Sequence, residues 1–211
     1  MDKTIVKALF KEIACKDPVR TTLMGVHFEE NRCYATDTHI LVVYNESDPR
    51  FAGKTLSIEG KEIVGKYPNI DRVIPKDLSN LFRGDLGQLY RACCWWCKQS
   101  DSHKDDQIVI DGHQYVISTL RRMLSMFAIT SELGTAKMYL NAAEGANRPA
   151  VVISDTFTSI QMPCNKSPEE KVDDVRSYEE YVVISYANFI NTYAIESTKP
   201  KDVKPSSFDW L

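Results

Sequence analysis

The residues of this 211-residue chain that could do chemistry are six cysteines, four histidines and a few clusters of lysine and arginine. The tightest cluster is Cys94-Trp95-Trp96-Cys97, which has the spacing of a dithiol redox pair. Such a pair works when its first cysteine opens a helix, where the dipole lowers the thiol pKa. Here Leu89, Tyr90 and Ala92 come first, so the pair falls late in a helix predicted over 86–98 and reads as core. A zinc site would need two ligands beyond Cys94 and Cys97. His103 is close by, but no second Cys-x-x-Cys exists. His27, His39, His103 and His113 show no metalloprotease spacing, and there is no phosphate loop, dinucleotide fingerprint or serine elbow. In Asp37-Thr38-His39, neighbours on a strand would point to opposite faces, so Thr38 and His39 do not form a catalytic pair. The reading is a non-enzyme without metal or cofactor, and a thiol oxidoreductase using Cys94 and Cys97 is the enzymatic alternative.

Lys3, Lys7 and Lys11 recur every fourth residue, and Arg121 and Arg122 are adjacent on a second predicted helix. Stripes of this kind bind nucleic-acid phosphates without sequence preference and in a salt-dependent way, or they form a solvated helix face. The net charge of −3 means that any DNA contact must come from a local basic face. A hydrophobic fraction of 43% and a charged fraction of 26% suit a globular chain with a sizeable core. No apolar run reaches the roughly 18 residues of a membrane span, and Met-Asp-Lys-Thr lacks the layout of a secretory signal. A cytoplasmic protein with reduced cysteines is the expectation.

These residues are positioned by alternating elements. Ile5, Val6, Leu9, Phe10 and Ile13 share one face of a helix predicted over 3–15, stopped by Asp17-Pro18. Strands are expected over 23–28 and 34–44, and a short strand over 55–58 pairs with 62–64. The segment Lys66–Pro75 is held extended by Pro68 and Pro75, because each pushes the residue before it out of the helical region. A strand over 107–110 leads to a helix over 114–127, with Val116, Ile117, Leu120, Leu124 and Phe127 on one face. Strands over 136–142 and 151–162 follow, split by a turn at 144–147. A polar stretch over 165–176, a strand over 181–186, a short helix to about 194 and a flexible tail over 199–211 complete the chain.

Three stretches resemble one family. Ala35-Thr36-Asp37-Thr38-His39-Ile40-Leu41 is similar to the ATDGHRL segment of bacterial sliding clamps, the DNA polymerase III beta subunits. Tyr67-Pro68-Asn69-Ile70-Asp71-Arg72-Val73-Ile74-Pro75 resembles their FPDYRRVLP linker, and Gln161-Met162-Pro163 resembles their C-terminal Met-Pro; all three occur in clamp order. The resemblance implies an α/β fold of the α+β type, with a mostly antiparallel sheet and two helices packed on one face. It also implies a cleft that takes short linear peptides, formed by Thr36, Thr38, His39, Leu41, Pro68, Arg72, Val73, Met162 and Pro163. The family's glycine is Thr38 here and its following arginine is Ile40, so the groove or its backbone should differ.

The resemblance covers roughly residues 3–164. It implies a clamp-like domain over 1–164 with an insertion at about 46–106, and a C-terminal extension over 165–211; a compressed pair of domains is the competing layout. The implied role is a DNA replication accessory protein that binds a DNA polymerase or another replication protein through a linear peptide. Duplex DNA would meet Lys3, Lys7, Lys11, Arg121 and Arg122. If a six-domain ring is kept, a homo-oligomer of about six copies is implied. The alternative is an adaptor or decoy that keeps the cleft and never encircles DNA. The chain's own Ser207-Phe208-Asp209-Trp210-Leu211 is faintly similar to a clamp-binding peptide.

Overall fold

The N-terminal apolar stripe folds as expected for one and a half turns and then changes pitch. In the computed structural model, which describes residues 1–99, 106–140, 149–163 and 183–196, helix α1 spans Lys3–Ala8, and the Asp2 carboxylate accepts the Thr4 amide at 2.7 Å as its N-cap. From Leu9–Ile13 the chain widens into a π turn, and the Ala14 amide reaches back to the Leu9 carbonyl. The last carbonyls of this helix are satisfied by cationic side chains. Lys16 Nζ donates to the Phe10 carbonyl and Arg122 Nε to the Glu12 carbonyl, each at 2.6 Å. The predicted strand over 23–28 is shorter than expected. Pro18, fixed at a helical φ, opens a 3-10 stretch over Pro18–Met24, and β1 spans only Val26–Phe28.

A seven-stranded sheet with the order β4-β1-β2-β3-β9-β8-β7 forms the body. Its strands are β1, β2 (Cys33–Thr36), β3 (Ile40–Tyr44), β4 (Thr55–Leu56), β7 (Lys137–Leu140), β8 (Ala150–Ile153) and β9 (Phe157–Gln161). Every neighbouring pair in it is antiparallel. Two strands expected to be continuous are hairpins. The run over 34–44 breaks at Asp37, whose carboxylate accepts the amides of His39 and Ile40 at 2.9 and 3.0 Å; Thr38 and His39 therefore sit in a turn, not on a strand. The run over 151–162 breaks at Ser154–Thr156, where the Ser154 hydroxyl accepts the Phe157 amide. The expected pairing near 55–64 is present, as Leu56 bridges Glu62.

Both outer edges of this sheet are covered. Along β4, the Ile63 amide donates to the Thr55 carbonyl at 2.8 Å; along β7, the Phe82 amide donates to Met138 and the Leu140 amide to Asn80, each at 2.9 Å.

A second sheet has the order β10-β5-β6, with β5 over Gln107–Ile110, β6 over His113–Val116 and β10 over Val183–Ser185. Asp111 and Gly112, both at positive φ, turn β5 into β6. This hairpin claims 113–116, so helix α3 begins later than predicted and spans Ile117–Ile129. Strand β10 pairs with β5 in parallel. Helix α2 spans Leu86–Gln99, one residue beyond expectation, and α4 spans Tyr186–Glu196.

The large core lies between the helices and one face of the seven-stranded sheet. Ile5, Leu9 and Ile13 of the first helix, Leu120, Leu124 and Phe127 of α3, and Ala35, Val42, Tyr44 and Phe157 of the sheet all belong to it. The two predicted helices thus pack on the same face, and the architecture is α+β with a mostly antiparallel sheet. Among the described residues no helix is long and apolar enough to cross a membrane.

Candidate functional site

Alternation along the central strands sends a second set of apolar residues to the opposite face. Tyr34, Leu41, Val43, Val151 and Ile160 form a smaller core there with Cys15, Leu23, Tyr67 and Ile70. The extended segment 66–75 is fastened onto this face by aromatic contacts. Tyr67 is buried, stacked on His27 at 5.1 Å and set edge-on to Tyr34 at 5.4 Å, and its hydroxyl accepts the Thr36 amide at 3.2 Å. His27 in turn shares a hydrogen bond of 2.9 Å with the Thr55 hydroxyl. Burial of the ring lowers the His27 pKa despite the nearby Glu29. An ion pair of 3.0 Å joins Arg32, in the turn between β1 and β2, to Asp71 of the segment.

Between segment and sheet lies an apolar cleft of about 200 Å³, lined by Leu23, Thr36, Thr38, His39, Ile40, Leu41, Pro68, Ile70, Val73, Ile160 and Met162. Seven of the nine sequence-predicted residues meet there: Thr36, Thr38, His39, Leu41, Pro68, Val73 and Met162. Met162 is placed by the hairpin itself, because its amide donates to the His39 carbonyl at 3.0 Å. Arg72 and Pro163 do not line the cleft. Ile70–Arg72 is a 3-10 turn in which residues three apart share a side, so Ile70 and Val73 face the cleft and Arg72 does not. Val73 and Met162 stay 46% and 37% exposed at its mouth, apolar surface left uncovered where a ligand could cover it. Sequence reasoning missed Leu23, Ile40, Ile70 and Ile160. For Ile160 a signal existed: it lies two residues before Met162, the spacing that puts strand side chains on one face.

Thr38 stands where the resembled family has glycine, and its φ is +82°. A β-branched residue is strained in that region. Its hydroxyl accepts Arg20 Nη1 at 2.6 Å. Beside the cleft, sharing His39 with it, lies a polar basin of about 420 Å³ lined by Lys11, Cys15, Lys16, Asp17, Arg20, Asp37, His39 and Arg122.

The five basic residues read as a DNA face have different surroundings. Lys3, Lys7 and Lys11 are exposed on the first helix. Arg121 lies 3.3 Å from Glu12, and Arg122 donates to Asp37 at 2.6 Å as well as to the Glu12 carbonyl. Cys94 and Cys97 lie in the second half of α2, and burial pushes the Cys97 thiol up, opposite to what a redox pair needs. Among the described residues no group of three or more His, Cys, Asp or Glu could hold a metal ion. His103, the 144–147 turn, the polar stretch from 165 and the 199–211 tail lie outside the described residues.

With its mostly antiparallel sheet and helices packed on one face, this chain has the fold of the bacterial sliding clamp. The clamp of Pseudomonas aeruginosa matches with a TM-score of 0.55 at 17% identity, over 79% of this chain and 66% of that one. The DNA polymerase III beta subunits of Thermotoga maritima and Streptococcus pyogenes each match with a TM-score of 0.57 at 13% identity, over 79% of this chain and 65% of theirs. The match thus spans just under two thirds of those chains. No family model matches the sequence, and no curated protein does.

Proposed function

We propose that the chain is a clamp-like accessory protein of DNA replication whose working part is the apolar cleft, and that it binds a short linear peptide of a polymerase or another replication protein. The observation that carries this reading is convergence. Residues 36–41, 68–73 and 162, far apart in the chain, meet in one concave, mostly apolar site with a hydroxyl and imidazole rim. A bulky apolar peptide side chain would enter over Leu41, Ile160 and Met162, with Val73 at the mouth. Binding of this kind needs no catalysis, metal or cofactor. A fluorescent peptide ending in bulky apolar residues, titrated against the wild type, is expected to saturate. Met162→Ala is expected to weaken binding by about tenfold and Val73→Asp to abolish it, since a carboxylate in an apolar cleft must be desolvated. A titration indifferent to both substitutions would reduce the likeness to a shared fold without shared use.

Between a DNA-encircling ring and an adaptor, the covered edges of the seven-stranded sheet disfavour a ring joined through that sheet and so favour the adaptor. Copies that join by strand pairing need open edges, and the outer sides of β4 and β7 already carry hydrogen bonds. Arg121 and Arg122 are held by acidic partners within the chain, which lessens their part in any duplex contact.

A further inference from the structure

Residues 197–211, which follow α4, divide by chemistry. The stretch 197–207 is polar but for Val203 and the two prolines, and it carries Lys199, Lys201 and Lys204. Phe208, Trp210 and Leu211 then come within four residues. In water, two aromatic rings and a leucine keep a large apolar area solvated, and burial would relieve that cost. In an extended segment Phe208 and Trp210 point to the same side. Pro200 and Pro205 favour an extended spacer before them. The cleft has the complementary need, because Val73 and Met162 leave apolar surface at its mouth. Reach is sufficient within one chain. From Glu196 to Trp210 the backbone spans at most roughly 45 Å, comparable with the breadth of a domain of this length, whose radius of gyration is about 17 Å. The unit that carries α4 is also fastened to the cleft end of the large sheet. Gln161, next to Met162, donates to the Val116 carbonyl at 3.2 Å; Val116 pairs with Gln107, and Gln107 with Val183 of β10.

We propose, building on the peptide-binding reading, that residues 208–211 dock in the apolar cleft of their own chain, so that the cleft is self-occupied until a partner peptide displaces them. Phe208 and Trp210 are the anchors, and 197–207 is the tether. Tethering sets the balance. A short linker holds its ligand at an effective concentration of about 1 mM, well above that of other copies at micromolar protein, so docking within the chain wins over docking between chains. A segment that alone binds with a Kd of about 100 μM then leaves roughly one cleft in ten open, and an outside peptide binds about tenfold more weakly than to an open cleft. Self-occupation keeps the apolar mouth covered and sets an affinity threshold for partners.

The test titrates the fluorescent apolar peptide of the previous subsection, by anisotropy, against three proteins: the full chain, a chain lacking residues 206–211, and full-length Trp210→Ala. The shortened chain is expected to bind about tenfold tighter than the full chain. Trp210→Ala, which keeps the length and the tether, should recover most of that gain. A labelled synthetic peptide of residues 205–211 should bind the shortened chain and lose binding when Val73→Asp is added. The tenfold difference should hold from one to a hundred micromolar protein, with a solution mass of one copy. Equal affinity of the outside peptide for all three proteins, with binding still sensitive to Val73→Asp, would overturn self-docking and leave the cleft reading intact. A difference that appears only at high protein concentration, together with a larger solution mass, would place the segment in a neighbouring copy and overturn the arrangement proposed. Failure of both peptides to bind the shortened chain would overturn both readings.

Discussion

Asp37 organises the cleft from below. One carboxylate oxygen closes the hairpin through the His39 and Ile40 amides, and the other receives Arg122, which also bonds the end of the first helix. That places Thr38 and His39 at the cleft rim whether or not Thr38 suits its backbone. At φ +82° it does not. Thr38→Gly should therefore stabilise the fold by roughly 1 kcal/mol, the relief of strain outweighing the added unfolded-state freedom and the lost bond to Arg20. Thr38→Ala keeps the Cβ and should give no gain. Urea midpoints at unchanged slope read this out; a Gly variant less stable than wild type would mean that the turn depends on the hydroxyl.

The linker segment is held as an element by the His27–Tyr67–Tyr34 cluster, and the cluster makes it sensitive to acid. Burial lowers the His27 pKa in the fold, whereas the unfolded chain takes up a proton at about pH 6.5. Well above that pH neither state is protonated and the ring leaves stability independent of pH. Below it the unfolded state binds more protons, so stability falls with pH until the folded ring titrates in its turn. Stability measured between about pH 7 and 5 should decline in the wild type, and the decline should be shallower in His27→Gln; equal slopes would show that the ring is not the source.

Elements of this kind were partly legible in the sequence. The prolines at 68 and 75 announced a stiff extended segment, and the stretches 36–41, 67–75 and 161–163 named seven cleft residues. The phase of the 3-10 turn was not legible, and it turned Arg72 away. Nor were the hairpins at 37–39 and 154–156, because apolar runs on both sides of each concealed the break. The Arg122–Asp37 pair spans 85 positions, and no local pattern reports such a partner.

For the whole molecule, closed edges on the seven-stranded sheet argue against growth by strand addition. Solution mass is expected at 24.0 kDa, one copy, across micromolar concentrations. A stable six-copy species would require an interface other than β4 and β7. The central β3–β9 ladder, which pairs residues 40–44 with 157–161, has a further consequence in time. Loop closure over more than a hundred residues must precede the contacts that repay it, so this pairing is slow relative to the local hairpins. During synthesis the N-terminal strands emerge long before β9. Until β9 arrives, β3 has an open side and Leu41 has no Ile160 across from it. The nascent chain thus passes through a stage in which an apolar strand edge is exposed, and the cleft comes into being only with the last strand of its sheet.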